Sequence, residues 1–75
     1  MDELLRILHS LHPEVDFTVR EALVDDRVLK SFDIVSIVSE IYEVFGVAVP
    51  AEEIVPENFN SAKALYALIE RLEDE

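Results

Sequence analysis

The stretch from Ser31 to Gly46 restricts the possible folds more than any other part of this chain. Its apolar residues come in adjacent pairs, Ile34 with Val35, Ile37 with Val38, Ile41 with Tyr42 and Val44 with Phe45, and the pairs return about every 3.5 residues. A half-buried strand would alternate its faces at every second residue, so the period and the length overrule the β-branched content. The pattern predicts one long helix with two adjoining apolar stripes and a narrow polar face of Asp33, Ser36, Glu40 and Glu43. Ser31 is a good N-cap type, and Gly46, the single glycine, suits a helix end in the left-handed conformation.

The remaining segments can be placed around that helix. From Asp2 to Leu11 the residues Leu4, Leu5, Leu8 and Leu11 share one helical face, Asp2 and Glu3 favour the positive end of its dipole, and Pro13 limits it. Between His12 and Lys30 no single period holds. That stretch reads as a long first loop pinned by its own apolar side chains, Val15, Phe17, Val19, Leu23, Val28 and Leu29. Val47 to Pro50 makes a short extended connection, and Ala51 to Val55 is expected to form a short third helix of one or two turns before Pro56. Asn60 or Ser61 then caps a last helix in which Leu65, Leu68, Ile69 and Leu72 keep offsets of three, four and seven, while Glu73, Asp74 and Glu75 fray. The expected fold is all-α: one domain over residues 1–75, a bundle of three longer helices and one short one with a long first loop.

Composition then narrows the function. No cysteine is present, so neither a disulfide nor a thiolate metal site holds the fold, and the 51% of hydrophobic residues must supply the core. Seventeen acidic against six basic side chains give a formal charge of −11, which repels nucleic-acid phosphates and anionic lipid heads and favours basic protein surfaces. The same charge also serves solubility alone. The apolar run from Leu4 to Leu11 is interrupted by Arg6, His9 and Ser10 and is too short to span a bilayer, so no signal peptide or membrane anchor is expected. A cytoplasmic location is expected, and a monomer, because the apolar stripes are all needed for the core.

Few residues offer chemistry. A serine at the start of a buried helix has an exposed hydroxyl, and the unpaired amides and dipole there favour a phosphate, although most such serines are only caps. His9 and His12 are three apart near a helix end, but no third metal ligand lies nearby and they read as surface histidines. Asp25, Asp26 and Asp33 lack the spacing and central glycine of an EF-hand, so no metal site is expected. Tyr42, Phe45, Phe59 and Tyr66 read as core or core-edge aromatics. No nucleophile, base and orienting group stand at a recognisable spacing, so an independent enzyme is not expected.

The run Asp25-Asp26-Arg27-Val28-Leu29-Lys30-Ser31-Phe32-Asp33-Ile34-Val35, followed by Phe45-Gly46-Val47 and by Ile54-Val55-Pro56-Glu57-Asn58-Phe59, resembles the acyl carrier protein family over nearly the whole chain. In that family a turn rich in acids and glycine leads to Asp-Ser-Leu, a long helix ends near Phe-Gly-Ile, and a Pro-Glu-Asn-Phe-like segment precedes the last helix. The resemblance implies an acyl-carrier-like bundle. It also implies that Ser31 is the acceptor for 4'-phosphopantetheine, moved from coenzyme A by a phosphopantetheinyl transferase, and that the arm carries an acyl, aminoacyl or peptidyl thioester. The partners it implies are that transferase, an acyl- or aminoacyl-loading ligase and downstream transferases with basic docking patches. They would meet a recognition surface of Phe32, Asp33, Ser36, Ser39, Glu40 and Glu43. Phe32 reads equally as a core residue, and the polar stripe equally as a solvated helix face.

Two positions depart from the family pattern. Lys30 replaces the acid that usually precedes the serine, and Arg27 stands where a turn glycine is common. Lys30 keeps a rival reading open, an unmodified acidic helical adaptor that binds a basic protein through the same face.

Overall fold

The computed structural model describes residues 1–74, and its elements follow from the local chemistry of the chain. Helix α1 spans Asp2–Leu11 and buries Leu4, Ile7 and Leu8, with Leu5 and Leu11 partly covered. The expected face is thus broadened by Ile7, one turn on from Leu4. His12 ends α1, its amide donating to the Leu8 carbonyl at 3.0 Å, and Pro13 follows.

Helix α2 spans Ser31–Phe45 and Gly46 ends it in the left-handed region at φ 69°, its amide donating to the Tyr42 carbonyl. A Cβ at Gly46 would meet nothing within 4 Å, so glycine is favoured there by backbone conformation alone. At the other end Ser31 is the first helical residue, and the N-cap is Lys30, with extended dihedrals. The cap expected of Ser31 is supplied by Asp33, whose Oδ2 accepts the Lys30 amide at 3.1 Å. A lysine ammonium cannot accept in return, so only this half of the reciprocal motif forms.

The short third helix lies further along than its sequence pattern places it. Ala51–Glu53 makes a single 3₁₀ turn, and helix α3 spans Pro56–Phe59 with the proline in its first turn. Pro56 starts this helix where it was expected to stop one, because its missing amide is no loss at a first helical position and its φ is already helical. Helix α4 spans Ala62–Glu73; Ser61 caps it by accepting the Ala64 amide at 3.0 Å, which leaves Asn60 for another task. Of the three acids expected to fray, Glu73 is the last helical residue, Asp74 the C-cap, and Glu75 lies outside the described residues.

Helix α1 packs on α2 and α4, and α3 packs on α4. Between them lies a core of Leu4, Leu8, Ile37, Ile41, Phe59, Leu65, Leu68 and Ile69, joined by Phe17, Leu23 and Leu29 from the first connection. The fold is a small all-helical bundle with no strand among the described residues. None of those residues forms a helix long and apolar enough to cross a membrane. Not every apolar residue is spent on the core: Val35, Tyr42 and Val44 of α2 are 66%, 61% and 44% exposed, and Val19 of the connection is 68% exposed. Tyr42 is therefore a surface residue, contrary to its reading as core-edge. Val19 pins nothing, and the argument that all the apolar stripes are consumed by the core does not hold.

Candidate functional site

The first connection is ordered by hydrogen bonds to distant residues. Leu23, fully buried, anchors it from inside, while its amide donates to the Asn60 carbonyl at 2.8 Å. The Asn60 side chain takes the next two amides, Val24 at 2.9 Å and Asp25 at 3.1 Å, and its Nδ2 donates to Asp25 Oδ2 at 3.2 Å. The chain then doubles back, with the Val28 and Leu29 amides donating to the Leu23 carbonyl at 2.8 and 2.9 Å. This reversal puts Arg27 at φ 61°, a left-handed conformation that costs a residue with a Cβ about 1–2 kcal/mol. The position where a glycine was missed in the sequence is thus one where the backbone has use for it.

Out of this turn the chain enters α2 at Lys30. Ser31 is exposed, and its hydroxyl takes part in none of the hydrogen bonds among the described residues. On its inner side Ser31 borders a crevice of about 300 Å³ whose other walls are Ile34, Val35, Val38 and Ile54. The lining is apolar apart from the serine itself. A hydroxyl at the rim of an apolar crevice and at the amide end of a fifteen-residue helix suits a phosphodiester whose substituent continues along apolar surface.

The residues expected to form a recognition surface divide. Phe32, Ser36, Ser39 and Glu43 follow one another at offsets of four, seven and eleven, which makes a single ridge along α2. Phe32 is 78% exposed, which decides between its two readings in favour of the surface. Ser39, Glu40 and Glu43 are exposed and Ser36 is half-buried. Asp33 points to the other flank, towards α1, and is engaged within the molecule.

What engages Asp33 is His12. The Nε2 atom of His12 is fully buried and lies 3.0 Å from Asp33 Oδ2, an ion-pair contact without the alignment of a hydrogen bond; Nδ1 lies 3.1 Å from Glu14 Oε1. The Asp33 carboxylate raises the pKa of His12 above its ordinary value; burial pulls the other way, and Glu14 adds to the rise. For Asp33, burial acts to raise the pKa, but the Lys30 amide and the charges of His12 and Lys30 prevail and hold it below the usual carboxylate value. His12 was read as a surface histidine because nothing in the sequence links position 12 to position 33. Its one local signal is its place between the end of α1 and Pro13.

Ile54, in the wall of the crevice, is set by the segment around the 3₁₀ turn. There Asn58 Nδ2 donates to the Glu53 carbonyl at 2.8 Å, and Arg71 of α4 grips the Glu53 carboxylate at 2.7 and 3.1 Å. Arg71 holds the Glu53 pKa low. No family model, curated protein or solved structure matches the chain.

Proposed function

We propose that this chain is a small acyl or peptidyl carrier protein, which holds its cargo as a thioester on 4'-phosphopantetheine attached to Ser31 and shuttles it between enzymes. The observation that carries the reading is the position of Ser31: exposed, uncommitted in hydrogen bonding, first in α2 and at the rim of an apolar crevice. The order of the three resembling segments along the chain supports it.

In this reading Ser31 is an acceptor and not a catalyst. Its Oγ forms the bond to the pantetheine-bearing phosphorus of coenzyme A, the pyrophosphate P–O bond breaks and adenosine 3',5'-bisphosphate leaves, and the hydroxyl proton passes to a base on the transferase. When bound, the arm supplies the thiol that a cysteine-free chain lacks. The first-turn amides of α2 would hold the phosphodiester, and Val35, Val38 and Ile54 of the crevice would cover apolar parts of the arm or cargo. Phe32 and the ridge to Glu43 meet basic patches of the transferase, the loading ligase and the downstream transferases. Such charge steering speeds encounter more than it tightens binding, as a shuttle requires. A monomer working in the cytoplasm belongs to the same proposal.

The test is the intact mass after incubation with coenzyme A and a broad-specificity phosphopantetheinyl transferase. The native chain is expected to gain one phosphopantetheine and Ser31→Ala none. A native chain that gains nothing, with a transferase active on another carrier, overturns the reading.

The second reading, an unmodified acidic adaptor for a basic partner, rests on Lys30, an exposed cation directly before Ser31. Modification of Lys30→Asp but not of the native chain would show that this one side chain closes the site to a transferase with a basic docking patch.

A further inference from the structure

The cluster of His12, Glu14 and Asp33 has no part in the chemistry above, yet it ends two residues from Ser31. Both ring nitrogens of His12 face a carboxylate, Nδ1 that of Glu14 at 3.1 Å and Nε2 that of Asp33 at 3.0 Å. A neutral imidazole has one N–H and would turn a lone pair towards one of the two; only the imidazolium presents a proton to both. The buried contact is the one with Asp33, and that same Oδ2 accepts the Lys30 amide at 3.1 Å. A chain of contacts therefore runs from the end of α1 through His12 and Asp33 to the residue before Ser31.

We propose that His12 is a positioning residue for Ser31, a proton-operated latch whose imidazolium form clamps Asp33 against the end of α1 and thereby holds the turn that presents the serine. The role in modification rests on the carrier reading; the latch itself does not. Loss of the proton leaves one N–H for two carboxylates and removes the positive charge that holds Asp33. Asp33 is then held less tightly and is freed to turn towards solvent. The pKa of His12 is raised by Asp33 first and by Glu14, so the latch is closed below the ordinary histidine value of 6.5 and opens as pH rises through the raised value. The other charges that act on the cluster are Lys30, which favours ionised Asp33, and His9 in the last turn of α1, which favours ionised Glu14. All belong to the same corner of the molecule.

The test compares the full native chain with His12→Gln, which keeps one donor for Asp33, and Asp33→Asn, which keeps an acceptor for the Lys30 amide. The readout is the Lys30 amide exchange rate by NMR, corrected for the intrinsic effect of pH, at about pH 6 and about pH 8.5. Protection in the native chain is expected to fall about threefold between the two, with both variants flat. A flat native chain, or a His12→Gln variant that follows the native slope, overturns the latch. For the positioning role, the rate of Ser31 modification by the broad-specificity transferase is measured as the ratio of native to His12→Gln, which cancels the transferase's own pH dependence. This ratio is expected to fall about threefold over the same range, and a constant ratio overturns the role. If neither chain is modified, the carrier reading fails and the positioning role with it; the amide measurement tells that failure from a failure of the latch.

Discussion

Helix α2 and the connection between residues 12 and 30 lie next to one another and are ordered in different ways. The helix is held by repetition: Ile34, Ile37, Val38 and Ile41 return at helical spacing and share the work of facing the core. The connection is held by single, unrepeated contacts, Leu23 in the core, Asn60 on three successive amides and His12 on Asp33. An element built by repetition tolerates the loss of a member better than one built from individual ties. Here the individual ties set the turn that leads to Ser31.

The largest effect that can break this comparison is in the core. Leu23→Ala is expected to cost about 3 kcal/mol, as much as Ile37→Ala, because both side chains are fully buried and leave a cavity. Urea unfolding of the two variants measures this, and a Leu23→Ala cost under about 1 kcal/mol would show that the connection is peripheral to the fold. Next comes Asn60→Ala, which strips the Val24 and Asp25 amides of their acceptor and should cost about 2 kcal/mol. Ser61→Ala, one residue on, removes only a helix cap and should cost about 1 kcal/mol. Equal losses at the two positions would mean that the tie from Asn60 to the connection carries nothing extra.

The two left-handed positions sharpen the comparison with opposite signs. Arg27→Gly is expected to stabilise the chain by up to about 1 kcal/mol, and Gly46→Ala to destabilise it by about the same. Thermal melts of both report the sign directly. Because no atom lies near a Cβ at Gly46, a much larger loss there would contradict backbone conformation as the sole reason for glycine at this position.

The smallest effect is that of pH. His12, with its pKa raised in the folded chain, contributes stability that is complete below its ordinary value of 6.5 and is lost as pH rises through the raised value. Asp33, with its pKa lowered, contributes stability that is present above its ordinary 3.8 and is lost as pH falls through the lowered value. The pair is therefore most stabilising between those limits, in mildly acidic solution, and for partly exposed groups amounts to about 0.5–1 kcal/mol. The stability gap between the native chain and His12→Gln, followed by chemical unfolding, is expected to narrow from about pH 6 to about pH 9. A gap that widens contradicts the assignment.

Much of this arrangement was legible in the residue order. The bounds of α1, the length of α2, the left-handed end at Gly46 and the apolar face of α4 all follow from spacing and from one glycine. The departures also have local causes. Ser31 was read as the cap because serine suits that place, but Asp33 at the third helical position reaches back to the Lys30 amide and moves the helix start by one residue. Pro56 was read as a stop because proline breaks helices, yet at a first helical position it favours one. For the candidate site, Ser31 and Phe32 could be singled out from the sequence, whereas Ile54 in the crevice wall and His12 behind Asp33 could not be placed beside them.

Taken by itself, the order of residues determined where helices form, which of their faces are apolar and how strongly acidic the surface is, because these depend on periods of three to four residues and on composition. Tertiary structure alone decided which apolar residues stay outside, as Val35 and Tyr42 do, and which distant polar groups meet, as Asn60 does with Val24 and His12 with Asp33. The reason is physical. Contacts between residues twenty or more positions apart are selected by the packing of helix on helix, and no local periodicity carries that information.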